Sequence, residues 1–132
     1  MPRVAEPAKK RILVVDDAAL VRIYYRDALE RAGFEVDEAL NGLEALEKVL
    51  TAPPDLLIVD VNMPTMDGIS FLKALRRQAP PTDSIPALVT STEARAQDMA
   101  AARAAGANFY LVKPLTQPAL VEHAALLCGA PA

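Results

Sequence analysis

The apolar positions of this chain follow two patterns that alternate from one end to the other. Short runs, "RILVV" (11–15), "FEVDEA" (34–39), "DLLIVDV" (55–61), "PALVTS" (86–91) and "FYLVK" (109–113), predict five strands. After each comes a stretch of helical period: "AALVRIYYRDALERA" (18–32), "GLEALEKVL" (42–50), "GISFLKALRRQ" (68–78), "EARAQDMAAARAA" (93–105) and "TQPALVEHAALLC" (116–128). Gly33, Gly106 and the Pro53–Pro54 pair stand where helices should stop. Four of the strands are apolar at consecutive positions, so both their faces are expected to be covered, as in a parallel sheet between helical layers. "FEVDEA" alternates instead and reads as an edge. Five βα units in succession, with no internal repeat, predict a doubly wound α/β sheet.

Composition narrows what such a sheet does. At 132 residues and 52% hydrophobic, the chain suits one domain with a real core. The division expected is a tail over 1–10, the domain over 11–129 and a short end over 130–132. The net charge is −3, yet the first eleven residues carry four basic side chains and one acidic, which leaves −6 for the remainder. That balance argues against a nucleic-acid surface. The lone cysteine, Cys128, excludes an internal disulfide and suits a reducing compartment. No apolar run approaches the ~18 residues of a membrane span, and the N-terminus lacks the apolar core of a signal peptide. A cytoplasmic protein is expected.

In a doubly wound sheet, ligands bind beyond the carboxyl ends of the strands. Polar residues stand at those ends where the apolar runs do not require them: Asp16 and Asp17 after the first, Asp60 in the third, Thr90 and Ser91 in the fourth, and Lys113 before Pro114 in the fifth. If the first and third strands are neighbours, three carboxylates converge and need a cation to offset their repulsion. A hard divalent ion such as Mg²⁺ suits oxygen ligands and commonly binds one or two carboxylates together with phosphate oxygens. A lysine and a hydroxyl on neighbouring strand ends would complete a phosphate-binding cradle.

The segments "VVDD", "VDVNMPTMDG", "LVTS" and "YLVKP" also resemble, in order and spacing, those of response-regulator receiver domains, over nearly the whole chain. The resemblance implies a flavodoxin-like sheet of order 2-1-3-4-5. It matches Asp60 to the phosphoacceptor of a histidine kinase or histidine phosphotransferase. It matches Asp16, Asp17 and the backbone carbonyl of Asn62 to further ligands of Mg²⁺, for which Mn²⁺ can substitute. Lys113 and the backbone N–H of Ser91 match phosphoryl contacts, while Thr90 and Tyr110 match a switch pair that remodels the face of the fourth helix, fifth strand and fifth helix. It further implies a cis bond before Pro114. The receiver reading makes the protein a phosphoacceptor rather than an enzyme acting on a separate substrate. A monomer that dimerises, where it does, through that same face is expected.

Each residue also has a structural reading. Asp16 or Asp17 suits an N-cap, Asp67–Gly68 reads as a turn and helix start, and Met63 and Met66 as packing. His123 reads as a solvated surface residue and Cys128 as a small apolar filler. Leu115 stands where receivers often have phenylalanine after the Lys–Pro pair, and Ala19 where chemotaxis relatives are often polar. Asn62 and Thr92 occupy positions that tune phosphate lifetime in the family. Only 18 residues follow Pro114, so a protein contact is the expected output, with the flagellar motor switch of a chemotaxis pathway as one target. A phosphorelay shuttle or phosphate sink is the alternative. A haloacid-dehalogenase-type phosphatase wants an acid where Asn62 stands. No dinucleotide-binding or Walker motif is present, and one Cys with one His cannot build a zinc site.

Overall fold

The computed structural model describes residues 9–129. The expected short end at 130–132 and most of the expected N-terminal tail lie outside the described residues. Five parallel strands form one sheet: β1 (Arg11–Val15), β2 (Glu35–Ala39), β3 (Leu56–Asp60), β4 (Ala87–Ser91) and β5 (Phe109–Val112). Their order is β2-β1-β3-β4-β5. Five helices connect and follow them: α1 (Ala19–Arg31), α2 (Gly42–Thr51), α3 (Gly68–Arg76), α4 (Ala96–Ala105) and α5 (Gln117–Cys128). This is the doubly wound sheet that the alternating patterns predict, with "FEVDEA" at an edge. The reversal of strand order puts β1 beside β3, which brings their carboxyl ends together.

Side chains alternate across the strands and divide the core in two. One layer joins Ile12, Val14, Leu56, Ile58 and Leu88 to Tyr25 and Leu29 of α1 and to Leu120 and Ala124 of α5. The opposite layer joins Leu13, Val15, Leu57, Val59 and Val89 to Phe71, Leu72 and Leu75 of α3 and to Ala102 of α4. In β3 and β4 every residue is buried, as consecutive apolar positions predict. β5 departs from that expectation: it is only half-buried, with Phe109 exposed. Its place at the free edge of the sheet is the reason.

Local chemistry sets the helix ends. Asn41 and Asp67 cap α2 and α3 by accepting from the backbone N–H of Glu44 and Ser70, and Thr116 caps α5 through Ala119. Gly106 ends α4 in the left-handed region at φ 114°, where a Cβ is disfavoured. The expected start of α4 at residue 93 is corrected to Ala96. Glu93 is held out of the helix at both backbone groups, since its N–H donates to Ser91 Oγ and its carbonyl accepts from the Tyr110 hydroxyl. A 3-10 turn over Thr82–Ser84, unanticipated in the sequence, follows α3. Arg76 fastens this region by donating to the carbonyls of Asp83, Ile85 and Gly106 and to Asn108 Oδ1.

Candidate functional site

Strand register builds the site. Val14 pairs with Ile58, Ile58 with Leu88, Asp60 with Thr90, and Thr90 with Leu111. By the two-residue period, Asp16, Asp60, Thr90 and Lys113 continue the side of the sheet that α1 and α5 cover, one step above its apolar layer. Apolar packing below therefore aims four chemically active side chains at one point. Asp17 completes the group from the start of the loop before α1. A carboxylate oxygen from each of Asp16, Asp17 and Asp60 lies within 4.8 Å of the others. Lys113 Nζ stands 2.9 Å from Asp16 Oδ2 and 3.1 Å from Asp60 Oδ1.

The loop geometry holds these groups in place. Asp16 Oδ1 accepts from the Ala18 N–H at 2.9 Å, while the Asp16 carbonyl accepts from Arg22 Nη1 at 2.8 Å. Asp16 thus supports the entry to α1 from outside, and Ala18 itself occupies the cap position without a capping side chain. The peptide bond before Pro114 is cis. Gly68 approaches the Asp60 carbonyl so closely that a Cβ there would collide with it. The turn-type reading of Asp67–Gly68 therefore gains a second content, close packing directly beneath Asp60.

Burial and charge act together on the cluster. Asp16 and Asp60 are 1% and 7% exposed, whereas Asp17 faces solvent. Burial and then the neighbouring Asp16 push the Asp60 carboxyl above the usual carboxylate range, against the pull of Lys113. Burial works to lower the Lys113 ammonium, but the hydrogen bond and charge of Asp16, with Asp60 behind it, outweigh burial and raise it. Lys113 therefore stays cationic. Thr90 is fully buried and its Oγ1 has no hydrogen-bond partner among the described residues, an arrangement that costs about 1–3 kcal/mol unless a partner arrives.

Other predicted residues fall nearby on the opposite side of the sheet. Ser91 is buried, with Oγ accepting from Glu93, and its carbonyl accepts from the Lys113 N–H at 2.7 Å. Tyr110 packs against the α3/α4 layer, and its hydroxyl donates to the Glu93 carbonyl at 2.8 Å. Asn62 and Tyr110 line one shallow cleft together with Ser91 and Glu93. His123 is half-buried against Phe109, ring centroids 4.9 Å apart, rather than freely solvated. Cys128 packs at the margin of the α1/α5 layer. The sequence reading missed Tyr25, which is buried at the head of that layer. Its signal was positional: Val21, Tyr25, Ala28 and Leu29 form the inward stripe of α1, so a tyrosine there is packed against the sheet.

The fold and this cluster define a class: a doubly wound sheet of order 2-1-3-4-5 whose carboxyl edge carries an acidic group able to hold a metal ion, beside a lysine. The chain belongs to the response regulator receiver domain family, which matches residues 12–125. Receiver domains are phosphoacceptor signalling domains of two-component systems, working with a histidine kinase and an output target. The transcriptional regulatory protein PrrA of Mycobacterium leprae is 39% identical over 86% of this chain and 47% of its own length. The sensor protein EvgS of Escherichia coli is 39% identical over 89% of the chain but only 10% of its own. The chain thus spans less than half the length of these curated relatives. Chemotaxis response regulator CheY4 of Vibrio cholerae superposes with a TM-score of 0.85 at 36% identity, covering 91% of this chain and 99% of its own. No helix among the described residues is long and apolar enough to cross a membrane.

Proposed function

We propose that this receiver domain accepts a phosphoryl group on the Asp60 carboxylate from a phosphohistidine of a histidine kinase or histidine phosphotransferase. The observation that carries the reading is Asp60 Oδ1 held 3.1 Å from Lys113 Nζ, within a three-carboxylate cluster. In the transfer, an Asp60 oxygen bonds to phosphorus, the phosphorus–nitrogen bond breaks, and its electron pair leaves with the imidazole. The donor set fits Mg²⁺ or Mn²⁺: Asp16, Asp17, Asp60 and the Asn62 carbonyl would hold the ion, which supplies positive charge to offset the meeting of two anions. Lys113 neutralises a phosphoryl oxygen, Thr90 donates its hydroxyl to another, and the Ser91 N–H assists. Thr90 and Tyr110 carry the change to the α4-β5-α5 face.

The output is a phosphorylation-dependent contact with a protein in the cytoplasm, a compartment that suits the free thiol of Cys128. The likeness to CheY4, a chemotaxis protein, supports a target of the flagellar motor-switch kind. The likeness to a segment of the sensor EvgS favours a second reading, relay of the phosphoryl group onward. Phosphate-flow measurements with kinases and phosphotransferase domains separate the two. The central test is incubation with acetyl phosphate and Mg²⁺: one hydroxylamine-labile phosphate per wild-type chain is expected, and none in Asp60→Asn. Equal incorporation in that variant would remove Asp60 from its role.

A further inference from the structure

Arg22 is a largely buried cation that the proposed phosphoryl transfer does not use. Its side chain is 12% exposed. The guanidinium spans two partners: Nη1 donates to the Asp16 carbonyl at 2.8 Å, and Nε donates to Glu38 Oε1 at 2.9 Å. Glu38 is itself held, since its other carboxylate oxygen accepts from Arg26 Nη1, while Arg26 Nη2 donates to the Val36 carbonyl at 2.6 Å. The end of β2 therefore aims the Arg22 fork at the loop before α1. The same strand end reaches that loop a second way, because the Asp16 N–H donates to the Ala39 carbonyl at 3.1 Å. Both backbone groups of Asp16 are thus fastened, directly or through Arg22, to an edge strand that contributes no side chain to the acidic cluster.

The two carboxylates that follow β1 are held unequally. Asp16 Oδ1 accepts from the Ala18 N–H and Oδ2 from Lys113 Nζ. Asp17 faces solvent, so the place of its carboxylate depends on where the backbone puts it. The peptide bond joining Asp16 to Asp17 is planar, with the Asp16 oxygen and the Asp17 Cα in one plane. Holding that oxygen from Arg22 therefore fixes the point from which the Asp17 side chain leaves. Ala18, at the cap position of α1, has no side chain to do this from the other end. Position rather than charge is what Arg22 supplies: Glu38 offsets the guanidinium at 2.9 Å, and a positive charge near the cluster would by itself repel a cation.

We propose that Arg22 is a positioning residue for the divalent ion: held by Glu38, its guanidinium fixes the Asp16–Asp17 peptide and so presents the Asp17 carboxylate beside those of Asp16 and Asp60. The inference rests on the reading of the acidic cluster as the metal and phosphoacceptor site and goes beyond it. Without the fork, the loop must be ordered at the moment the ion binds, and that ordering is subtracted from its affinity. The edge strand β2, which the transfer itself does not use, thereby becomes part of the support of the site.

Mn²⁺ is the probe, its free concentration read by electron paramagnetic resonance in the wild type, Arg22→Met and Arg22→Lys with no phosphoryl donor present. Arg22→Met keeps an unbranched stem and leaves Glu38 paired with Arg26; circular dichroism and the urea midpoint in chelator check its fold. Its Mn²⁺ affinity should fall about fivefold, the effect of one ordinary hydrogen bond. The direction discriminates, because loss of a positive charge alone would tighten the binding of a cation. Arg22→Lys should show a similar fall, since one ammonium nitrogen cannot stand at both the Nε and Nη1 positions, and it carries the test where Arg22→Met does not fold. Half-maximal phosphate uptake from acetyl phosphate should need more Mg²⁺ by the same factor, and excess Mg²⁺ should restore it. Unchanged or tighter Mn²⁺ binding in Arg22→Met, wild-type affinity in Arg22→Lys, or uptake that excess Mg²⁺ does not restore would overturn the inference while leaving the Asp60 reading intact. A wild type that binds no Mn²⁺, or an Asp60→Asn variant that takes up phosphate as the wild type does, would overturn both.

Discussion

Replacing Asp60 by Asn should stabilise the metal-free protein at neutral pH, although it removes a carboxylate that touches a lysine. With an effective dielectric constant near 20, the 3.1 Å contact to Lys113 favours the Asp60 charge by about 5 kcal/mol. Asp16, with oxygens inside the 4.8 Å limit of the cluster, opposes it by about 3.5 kcal/mol or more. Asp17 adds about 1 kcal/mol, because its exposure leaves water to screen it. Attraction and repulsion nearly cancel, so desolvation decides the sign. Asp60 is 7% exposed, and its raised pKa shows that the charged form is the disfavoured one. Lys113 is not orphaned in the variant, since Asp16 Oδ2 remains 2.9 Å away. A gain of about 1–2 kcal/mol follows, or roughly 4–8 °C in Tm for a domain of this size.

The sign of the pH dependence follows from the same shift. A carboxyl whose folded pKa lies above its unfolded value binds its proton more tightly in the folded state. Its stabilising contribution is complete below the ordinary carboxylate range and is lost as pH rises through the folded value. Asparagine does not titrate there, so the advantage of Asp60→Asn should open across that window and then stay constant. Urea unfolding in excess chelator, followed from acid to neutral pH, measures it. Added Mg²⁺ should narrow the gap, because the ion binds the native wild type more tightly than the variant. A variant less stable than wild type by more than about 1 kcal/mol in chelator, or a gap indifferent to Mg²⁺, would refute the electrostatic reasoning.

Asp17→Ala should collapse phosphate incorporation from acetyl phosphate, as should excess chelator; equal rates in either case count against a metal at the cluster. Thr90→Ala and Tyr110→Ala should each leave phosphate measurable at Asp60 while reducing the phosphorylation-dependent gain in partner affinity, as read by titration of phosphorylated protein. Gly68→Ala should cost about 1–3 kcal/mol in urea unfolding and slow phosphate uptake, because its Cβ displaces the Asp60 carbonyl. Arg76→Ala should cost about 2–4 kcal/mol without changing phosphate uptake per folded molecule, since its guanidinium holds loops at the opposite end of the strands.

The strands were legible because a sheet covered on both faces requires consecutive apolar residues, and the convergence of Asp16, Asp17, Asp60 and Lys113 because a charge at the end of such a run has no packing reason to be there. β5 was over-read: "FYLV" is as apolar as "LLIV", but periodicity does not say which strand closes the sheet, and the edge leaves Phe109 exposed. The start of α4 was misplaced because Glu93–Arg95 is compatible with a helix, and only the bonds to Ser91 and Tyr110 hold it open. Those partners are two and seventeen residues away, so local pattern carries only part of the answer. Tyr25 escaped notice for a different reason: on a helix an inward tyrosine reads as ordinary core.

Under the proposed function, the division of the sheet also constrains how the signal travels. Thr90 lies on the α1/α5 side, with Asp60 and Lys113, while Tyr110 packs with the α3/α4 layer. Its register partner is Val89, and its hydroxyl is held at Glu93. The connection between them runs along the backbone: Thr90 O accepts from Val61, Ser91 O from Lys113, Ser91 Oγ takes the Glu93 N–H, and the Glu93 carbonyl holds Tyr110. A phosphoryl group that draws Thr90 toward Asp60 pulls on the first residue of this series, and Tyr110 loses its anchor only when the last one moves. A switch of this kind needs interactions that differ between its two states. Under the proposal, the unpartnered Thr90 hydroxyl would make the hydrogen bond that forms on phosphorylation, and the Tyr110–Glu93 hydrogen bond would be the one that breaks.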